Sequence, residues 1–139
     1  MKAIKYILYT VIFSAVLFAA QLLLEDVLQM YQDNELKDNN KALELLESEA
    51  KRGNINASFL LATAYRNGKA GSINIEKSIY WYKIAAKNND ADAMLMIGWL
   101  YYKNPRHLNS NLKKARYWFK MAASRGVDEA VEMLELLRQ

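Results

Sequence analysis

The fold of this chain is decided by a sequence that occurs three times: KALELLESEAKRGNINA at 41–57, KSIYWYKIAAKNNDADA at 77–93 and KARYWFKMAASRGVDEA at 114–130. The copies align without gaps, and their starting points lie 36 and 37 residues apart. This period is typical of solenoids built from helical hairpins. Each copy predicts a helix, called here the second-type helix. Apolar residues at i, i+3, i+4 and i+7 between the copies predict an amphipathic first-type helix in each unit. We therefore expect an all-α fold.

The ends of the predicted helices carry residues that suit helix termini. An Asp or Asn stands three residues before the first lysine of each copy, where it predicts an N-cap: Asp38, Asn74 and Asn111. Twelve residues after that lysine stands a residue that tolerates a left-handed conformation: Gly53, Asn89 and Gly126. Small residues recur where neighbouring helices must approach closely: Ala50, Ala86 and Ala123. The repeat thus predicts where its helices begin and end.

The residues at the repeat positions resemble the Sel-one-like repeat (SLR) family, which is related to the tetratricopeptide repeat. The family pattern A-x-x-x-L-G-x-x-Y-x-x-G, a short loop and D-x-x-K-A-x-x-W-Y-x-K-A-A-x-x-G is matched twice. The first match supplies Ala57, Leu61, Tyr65, Gly68, Lys77, Trp81, Tyr82, Ala85 and Ala86. The second supplies Ala93, Ile97, Gly98, Tyr101, Lys114, Ala115, Trp118, Phe119, Ala122, Ala123 and Gly126.

The resemblance covers about 41–135, which is two full units and a half-unit at each end. It implies a short right-handed α-α solenoid that binds other proteins and catalyses no reaction. The large aromatic residues at pattern positions are then expected in the core: Trp81, Tyr82, Trp118 and Phe119.

Composition excludes several kinds of chemistry. The 139 residues include no cysteine, which rules out disulfides, a cysteine-ligated zinc site and an acylated lipoprotein. The single histidine, His107, stands in a loop without a nearby carboxylate, so we expect a solvated side chain. The sequence contains no phosphate-binding glycine loop, HExxH motif or serine elbow. We therefore expect a protein that is not an enzyme, with no cofactor, no metal and no small-molecule substrate.

An apolar segment near the start predicts a membrane anchor. Residues 6–24 carry no charge, and the stretch 4–24 has 21 residues, a helix of about 31 Å. The hydrocarbon core of a bilayer is about 30 Å thick. Lys2 and Lys5 precede the segment, so the positive-inside rule places the rest of the chain outside the cytoplasm. This predicts a single-pass protein of the bacterial inner membrane with its repeats in the periplasm.

A cleaved signal peptide is the alternative. Cleavage after Ala20 would place Phe18 at the −3 position, and cleavage after Ala19 would place Leu17 there. Neither side chain suits signal peptidase, which requires small residues. The apolar block is also longer than the usual core of a signal peptide. We therefore expect 1–24 to be retained as a transmembrane anchor.

Residues 25–40 form a connector between this anchor and the repeat domain 41–139. An apolar stripe with helical spacing runs into the connector: Leu24, Val27, Leu28 and Tyr31. The stripe predicts a worn first-type helix over 23–32 that continues the anchor, with a loop over 32–40. A flexible linker is the alternative.

Two stripes of side chains on the first-type helices fall outside the repeat pattern. They are Phe59, Thr63 and Arg66 in one unit and Leu95, Trp99 and Tyr102 in the next. Stacked repeats bring such stripes side by side on the inner surface of a solenoid. Because Trp, Tyr and Arg are enriched in binding hot spots, we interpret these six residues as a partner-binding site. Alternatively, they cover the neighbouring half-helix or face lipid.

Charge is unevenly distributed along the chain. Residues 25–50 carry a net charge of −6, whereas 93–127 carry seven bases and no acid. The residues expected to form a basic surface are Lys103, Arg106, Lys113, Lys114, Arg116 and Lys120. No nucleic-acid-binding motif accompanies them, so we do not expect a nucleic-acid partner. A protein with an acidic surface or anionic lipid fits better, and solvated helix faces are the alternative.

These features together predict a membrane-anchored module for protein–protein interaction that serves as a scaffold or adaptor. Two alternatives remain open. One is an immunity or inhibitor protein that neutralises a toxin delivered to the periplasm. The other is an envelope- or lipid-associated structural protein that uses its basic surface.

Overall fold

The computed structural model of the protein describes residues 2–103 and 108–138. The described chain folds entirely into helices, as the repeat predicts. A short 3-10 helix, Leu36–Asp38, follows the first of seven α-helices. The α-helices are α1 (Lys2–Gln32), α2 (Asn40–Lys51), α3 (Ile55–Asn67), α4 (Ile75–Lys87), α5 (Ala91–Tyr102), α6 (Leu108–Ala123) and α7 (Asp128–Leu136).

From α2 onward, each helix packs against the next in the chain. The short connections make sequential neighbours antiparallel, so α3 and α5 run in the same direction and alternate with α2, α4 and α6. The core forms along the stack and holds the large, fully buried side chains Tyr82, Phe119, Leu36, Leu46, Leu61, Met94 and Ile97. Alanines at pattern positions, such as Ala57, Ala85 and Ala122, are also fully buried and allow the helices to approach closely.

The carboxyl ends of the second-type helices α2, α4 and α6 agree with the repeat pattern. Gly53, Asn89 and Gly126 have φ angles of 93°, 65° and 84°, which confirms the predicted left-handed positions. Each of these residues lies in the turn from a second-type helix to the following first-type helix. Asn89 is the one residue of the three that carries a Cβ, and asparagine tolerates this conformation better than most residues.

The predicted N-caps are right at one of three sites. Asn74 caps α4, where its Oδ1 accepts a hydrogen bond of 2.9 Å from the backbone N–H of Lys77. The prediction for Asp38 is wrong by one residue, because Asp38 ends the 3-10 helix and Asn39 caps α2 instead. The prediction for Asn111 is also wrong. Helix α6 begins at Leu108, so Asn111 lies inside the helix and its side chain is buried.

Two further N-caps follow from the structure rather than from the repeat alignment. Asn54 accepts a hydrogen bond from the N–H of Ala57 at the start of α3. Asp90 accepts one of 2.8 Å from the N–H of Ala93 at the start of α5. The first-type helices α3 and α5 are thus capped in the same way, which fixes equivalent starting points for the side chains on their surfaces.

The end of α1 packs on the repeat helices. Val27 is only 3% exposed and belongs to the core. Lys69, which follows α3, donates to the backbone carbonyl of Tyr31 at 2.8 Å and lies over its ring. Asn67 at the end of α3 donates to the Tyr31 hydroxyl at 3.2 Å. Since the last turns of both helices meet, α1 runs parallel to α3, as a first-type helix would.

The remainder of α1 is apolar and uncovered. Within the described residues, one helical stretch, Tyr9–Gln32, is long and apolar enough to cross a membrane. It has 24 residues and a mean hydropathy of 2.0, properties that a signal sequence shares. Large apolar side chains in the first part of α1 are between 46% and 72% exposed: Ile7, Tyr9, Val11, Ile12, Phe13, Val16, Leu17, Phe18, Leu22 and Leu23.

The four pattern aromatics are not equally buried. Trp81, Tyr82 and Phe119 are in the core, as expected. Trp118 is half-buried and packs from the outside of the core, edge-on to Tyr117 with ring centres 5.3 Å apart. The prediction of a core tryptophan is therefore right for Trp81 and only partly right for Trp118.

Candidate functional site

The candidate site is the surface formed by α3, α5 and the start of α7, called here the inner face. Two neighbouring grooves run over it. The Arg66 groove, about 510 Å³, lies between α3, α5 and α7 and is lined by Arg66, Met96, Trp99, Lys103 and Glu129, among others. The Asp92 groove, about 360 Å³, lies at the amino ends of α3 and α5 and is lined by Phe59, Leu60, Thr63, Asp90 and Asp92, among others. Both grooves are lined by residues of α3 and α5, because these two helices lie side by side and run in the same direction.

Phe59 and Thr63 are tied to the second-type helix behind them. Phe59 packs edge-on to Tyr82, with ring centres 5.1 Å apart. The Thr63 hydroxyl donates to the carbonyl of Phe59 at 2.9 Å, so it accepts from the Tyr82 hydroxyl, 2.8 Å away. Burial raises the pKa of Tyr82, although the charge of Arg66 opposes the shift. Tyr82 therefore serves as a neutral, structural hydrogen-bond donor behind the inner face.

Arg66 lies half-buried across the boundary between α3 and α5. Its Nη1 donates to the Met96 sulfur at 3.1 Å, and its Nε donates to Asn67 Oδ1 at 3.2 Å. A thioether is a weak acceptor, so this guanidinium retains most of its capacity for strong hydrogen bonds. The described residues place no carboxylate within 4.0 Å of Arg66.

Trp99 is half-buried rather than freely exposed. It packs edge-on to Phe119 and to Tyr102, with ring centres 5.9 Å and 5.6 Å away. Its indole N–H donates to Glu129 Oε1 at 2.7 Å, and Lys103 lies 4.9 Å over its ring. Trp99 is therefore held in one orientation with part of its ring open to the groove. A preorganised aromatic side chain of this kind suits a binding hot spot.

The prediction for Leu95 is wrong. Leu95 is only 5% exposed and belongs to the core, so it cannot contact a partner. Helix α5 packs against both α4 and α6, and its residues Met94, Leu95 and Ile97 are all buried in the core. Of the six predicted residues, Phe59, Thr63, Arg66, Trp99 and Tyr102 lie on the inner face, each half-buried.

The inner face also contains residues that the sequence did not point to. Met96, Asn67 and Glu129 line the Arg66 groove. Met96 occupies a helical position next to Trp99 and Lys103, and a wider search around Trp99 would have found it. Glu129 belongs to the next unit, and no spacing within α5 indicates that its carboxylate meets Trp99.

The expected basic surface lies mainly on another part of the molecule. Lys113, Lys114, Arg116 and Lys120 are exposed on α6, a second-type helix, and Lys103 is exposed beside Trp99. Arg106 lies outside the described residues. Lys114 packs over the Tyr101 ring at 5.2 Å, and Arg116 donates to the carbonyl of Leu137. These contacts hold two of the cations against the fold and leave their charge at the surface.

The described residues contain no group of three or more His, Cys, Asp or Glu side chains that could hold a metal ion. His107 lies outside the described part of the chain. The chemistry of the inner face is that of recognition: aromatic edges, one guanidinium, one ammonium and several carboxylates.

Comparison with protein families assigns this architecture. The Sel1 repeat model matches residues 28–54, 55–90 and 91–127. The chain belongs to the Sel1 repeat family. The three Sel1 repeats correspond to the end of α1 with α2, then α3 with α4, then α5 with α6, and α7 follows the last repeat. The family is generally a module for protein–protein interaction and is not generally catalytic.

A solved structure supports the same assignment. The chain is similar to the crystal structure of a Sel1 repeat protein from Oxalobacter formigenes, with 31% sequence identity and a TM-score of 0.53. The similarity covers 64% of this chain and 66% of that one. A comparison with the curated proteins finds no match. The Sel1 repeats thus indicate a scaffold for protein–protein interaction.

Proposed function

We propose that this Sel1 repeat protein is a membrane-anchored, non-catalytic interaction module that binds another protein through its inner face. The observation that carries the proposal is the arrangement of Trp99 and Arg66. An aromatic ring held by Phe119 and Glu129 stands beside a half-buried guanidinium whose neighbours are a sulfur and an amide. Such a pair matches the composition of binding hot spots.

The exposed apolar surface of α1 supports anchoring in a membrane. Its side chains from Ile7 to Leu23 would bring a large apolar area into water, which soluble chains avoid. Lys2 and Lys5 at its start favour a cytoplasmic amino terminus, which would place the Sel1 repeats in the periplasm of a bacterial cell. The contacts of Tyr31 with Asn67 and Lys69 would then hold the repeats directly at the membrane surface.

The anchor is tested by the mass of the mature protein. The intact mass of the protein purified from membranes should include residues 1–24. A mature amino terminus at Gln21 would contradict the proposal and show that the repeats are released into the periplasm.

The partner site is tested by crosslinking and capture with the full anchored chain. Trp99→Ala and Tyr102→Ala should each weaken capture of a specific partner, and loss of an aromatic hot spot lowers affinity at least about thirtyfold. Tyr117→Ala is the matched control, because Tyr117 is 56% exposed on α6, away from the inner face.

Trp99 also contacts Phe119, so its substitution affects the fold as well as the surface. Far-UV circular dichroism must therefore show that each variant remains folded. Equal capture by the folded Tyr102→Ala, Tyr117→Ala and wild-type proteins would show that the partner binds elsewhere. If Lys113→Glu and Lys120→Glu on α6 weaken capture instead, the partner binds at the basic surface.

A further inference from the structure

The two grooves of the inner face carry opposite charge. The Arg66 groove presents the cations of Arg66 and Lys103 at the carboxyl ends of α3 and α5. The Asp92 groove presents the carboxylates of Asp90 and Asp92 at the amino end of α5. The apolar surface between them comes from residues of α3 and α5: Phe59, Leu60, Met96 and Trp99.

The cations of the Arg66 groove are not neutralised by the protein. In residues 2–103 and 108–138, the ion pairs join Lys51 to Glu47 and Arg52 to Glu49, which leaves Arg66 and Lys103 without a carboxylate within 4.0 Å. Glu129 lines the same groove, but its carboxylate accepts the indole N–H of Trp99. A guanidinium offers a planar set of donors that fits a carboxylate best. The Arg66 groove therefore suits an acidic side chain next to an apolar one.

The Asp92 groove has the complementary chemistry. Asp90 uses one carboxylate oxygen to cap α5, and Asp92 is exposed in the first turn of that helix. No ion pair engages either residue within the part of the chain that the structure describes. The apolar wall of this groove is formed by Phe59 and Leu60 of α3 and Leu28 of α1. A basic side chain flanked by an apolar one fits here.

The separation of the grooves sets the length of the segment that could occupy both. On α5, Asp92 lies four residues before Met96, whose sulfur accepts from Arg66, and eleven residues before Lys103. Along a helix these intervals span about 6 Å and about 17 Å. An extended chain advances about 3.3 Å per residue, so about two to five residues cover this range.

We propose that the inner face binds one extended segment of a partner protein that lies along α3. Its acidic residue contacts Arg66 and Lys103, its basic residue, about two to five positions away, contacts Asp92, and apolar side chains next to them pack on Phe59, Met96 and Trp99. This inference rests on the proposed function and names the chemistry of its partner.

A displayed library of linear 12-residue peptides tests the proposal against the full-length protein in nanodiscs, with empty nanodiscs as background. Enriched peptides should share an acid and a base about two to five positions apart, in one order along the peptide, with apolar residues beside them. Arg66→Glu should remove the preference for the acid, and Asp92→Lys should remove the preference for the base. The double variant should enrich peptides with the two charges in the opposite order.

A selected peptide should bind Arg66→Glu at least about tenfold more weakly than wild type, because a like charge then faces its carboxylate. Lys83→Glu is the control for charge reversal, since Lys83 is exposed on α4 and lines neither groove, and it should leave the affinity unchanged. Peptides without the charge pattern, or a pattern that persists in both single variants, would overturn the inference. If selection fails while Tyr102→Ala still loses its crosslinked partner, the segment proposal falls and the proposed function stands. If both experiments fail, both fall.

Discussion

The Sel1 repeats at 55–90 and 91–127 have the same helices but different interiors. In the first, Ala62 and Thr63 of α3 face Tyr82 of α4, and the Thr63 and Tyr82 hydroxyls lie 2.8 Å apart. In the second, Gly98 and Trp99 occupy the equivalent positions of α5 and face Phe119 of α6, which has no hydroxyl. Trp99 packs edge-on to the Phe119 ring, with centres 5.9 Å apart.

The two repeats thus differ at three equivalent positions, and the three differences compensate for one another. A buried tyrosine hydroxyl needs a hydrogen-bond partner, which Thr63 supplies. Phe119 has no such need, so the equivalent position can hold Trp99, which reaches the surface and forms part of the Arg66 groove. The ring of Phe119 lies so close to α5 that a Cβ on Gly98 would come within 2.5 Å of it. The repeat at 91–127 therefore places an aromatic side chain in the Arg66 groove by changing its interior, not only its surface.

The tryptophans of the two second-type helices should give the largest difference. Trp81 is 5% exposed, so Trp81→Ala should cost about 3–5 kcal/mol of unfolding free energy, whereas Trp118→Ala should cost clearly less because Trp118 is half-buried. Urea unfolding followed by circular dichroism in micelles measures both values. Tyr80→Ala, which removes a side chain that is 55% exposed, provides the control. Equal losses at the two tryptophans would contradict the burial difference.

The close contact at Gly98 should give the next largest effect. Gly98→Ala should destabilise the protein by about 1–3 kcal/mol, because the added Cβ meets the fully buried ring of Phe119. Thermal unfolding measures the change. Adding Phe119→Leu should relieve part of the loss, so the double variant should be more stable than the sum of the single effects predicts. Strict additivity would mean that the contact is not the cause.

Tyr82→Phe makes the repeat at 55–90 more like the repeat at 91–127, which has Phe119 at this position. It should lower the free energy of unfolding by about 1 kcal/mol, the net value of one hydrogen bond. Burial raises the pKa of Tyr82 in the folded protein, whereas an unfolded tyrosine ionises near its ordinary pKa of 10.0. The folded state therefore holds the proton more tightly, and the stability from Tyr82 is complete below pH 10 and falls as pH rises further.

The advantage of wild type over Tyr82→Phe should accordingly shrink above about pH 10, as measured by urea unfolding across pH 7–11. Both proteins contain the same lysines, so their difference isolates Tyr82. A constant difference across this range would show that Tyr82 does not ionise differently in the folded state.

Ser78 should give the smallest effect, and in the opposite direction. It occupies the position held by Ala42 and Ala115 in the other second-type helices, and it is fully buried. Its hydroxyl has no hydrogen-bond partner among the described residues. Ser78→Ala should therefore stabilise the protein by up to about 1 kcal/mol, and Ala115→Ser should destabilise it by a similar amount. A loss of stability in Ser78→Ala, measured by thermal unfolding, would indicate a hydrogen bond that engages this hydroxyl.

The repeat allowed much of the fold to be predicted because its residues act locally or through contacts that recur in every unit. The left-handed positions at Gly53 and Asn89 depend on their own backbone angles, and the burial of Tyr82 and Phe119 recurs with the period. The start of α6 was predicted wrongly because Asn111 aligns with Asn74, which caps α4. Helix α6 instead begins about one turn before Asn111. Leu95 was misplaced because it is buried by other parts of the chain, and a pattern within one helix does not reveal which of its side chains its neighbours cover.

By itself, the sequence determined the helices, their period and the presence of an apolar segment of membrane-spanning length, because these follow from backbone preferences and from side-chain spacing along one element. Only the tertiary structure decided which side chains meet across units. The hydrogen bond from Trp99 to Glu129, the contact of Arg66 with Met96 and the approach of Phe119 to Gly98 each join helices that are distant along the chain. Their distances depend on how the helices stack, so the inner face and its two oppositely charged grooves exist only in the folded protein.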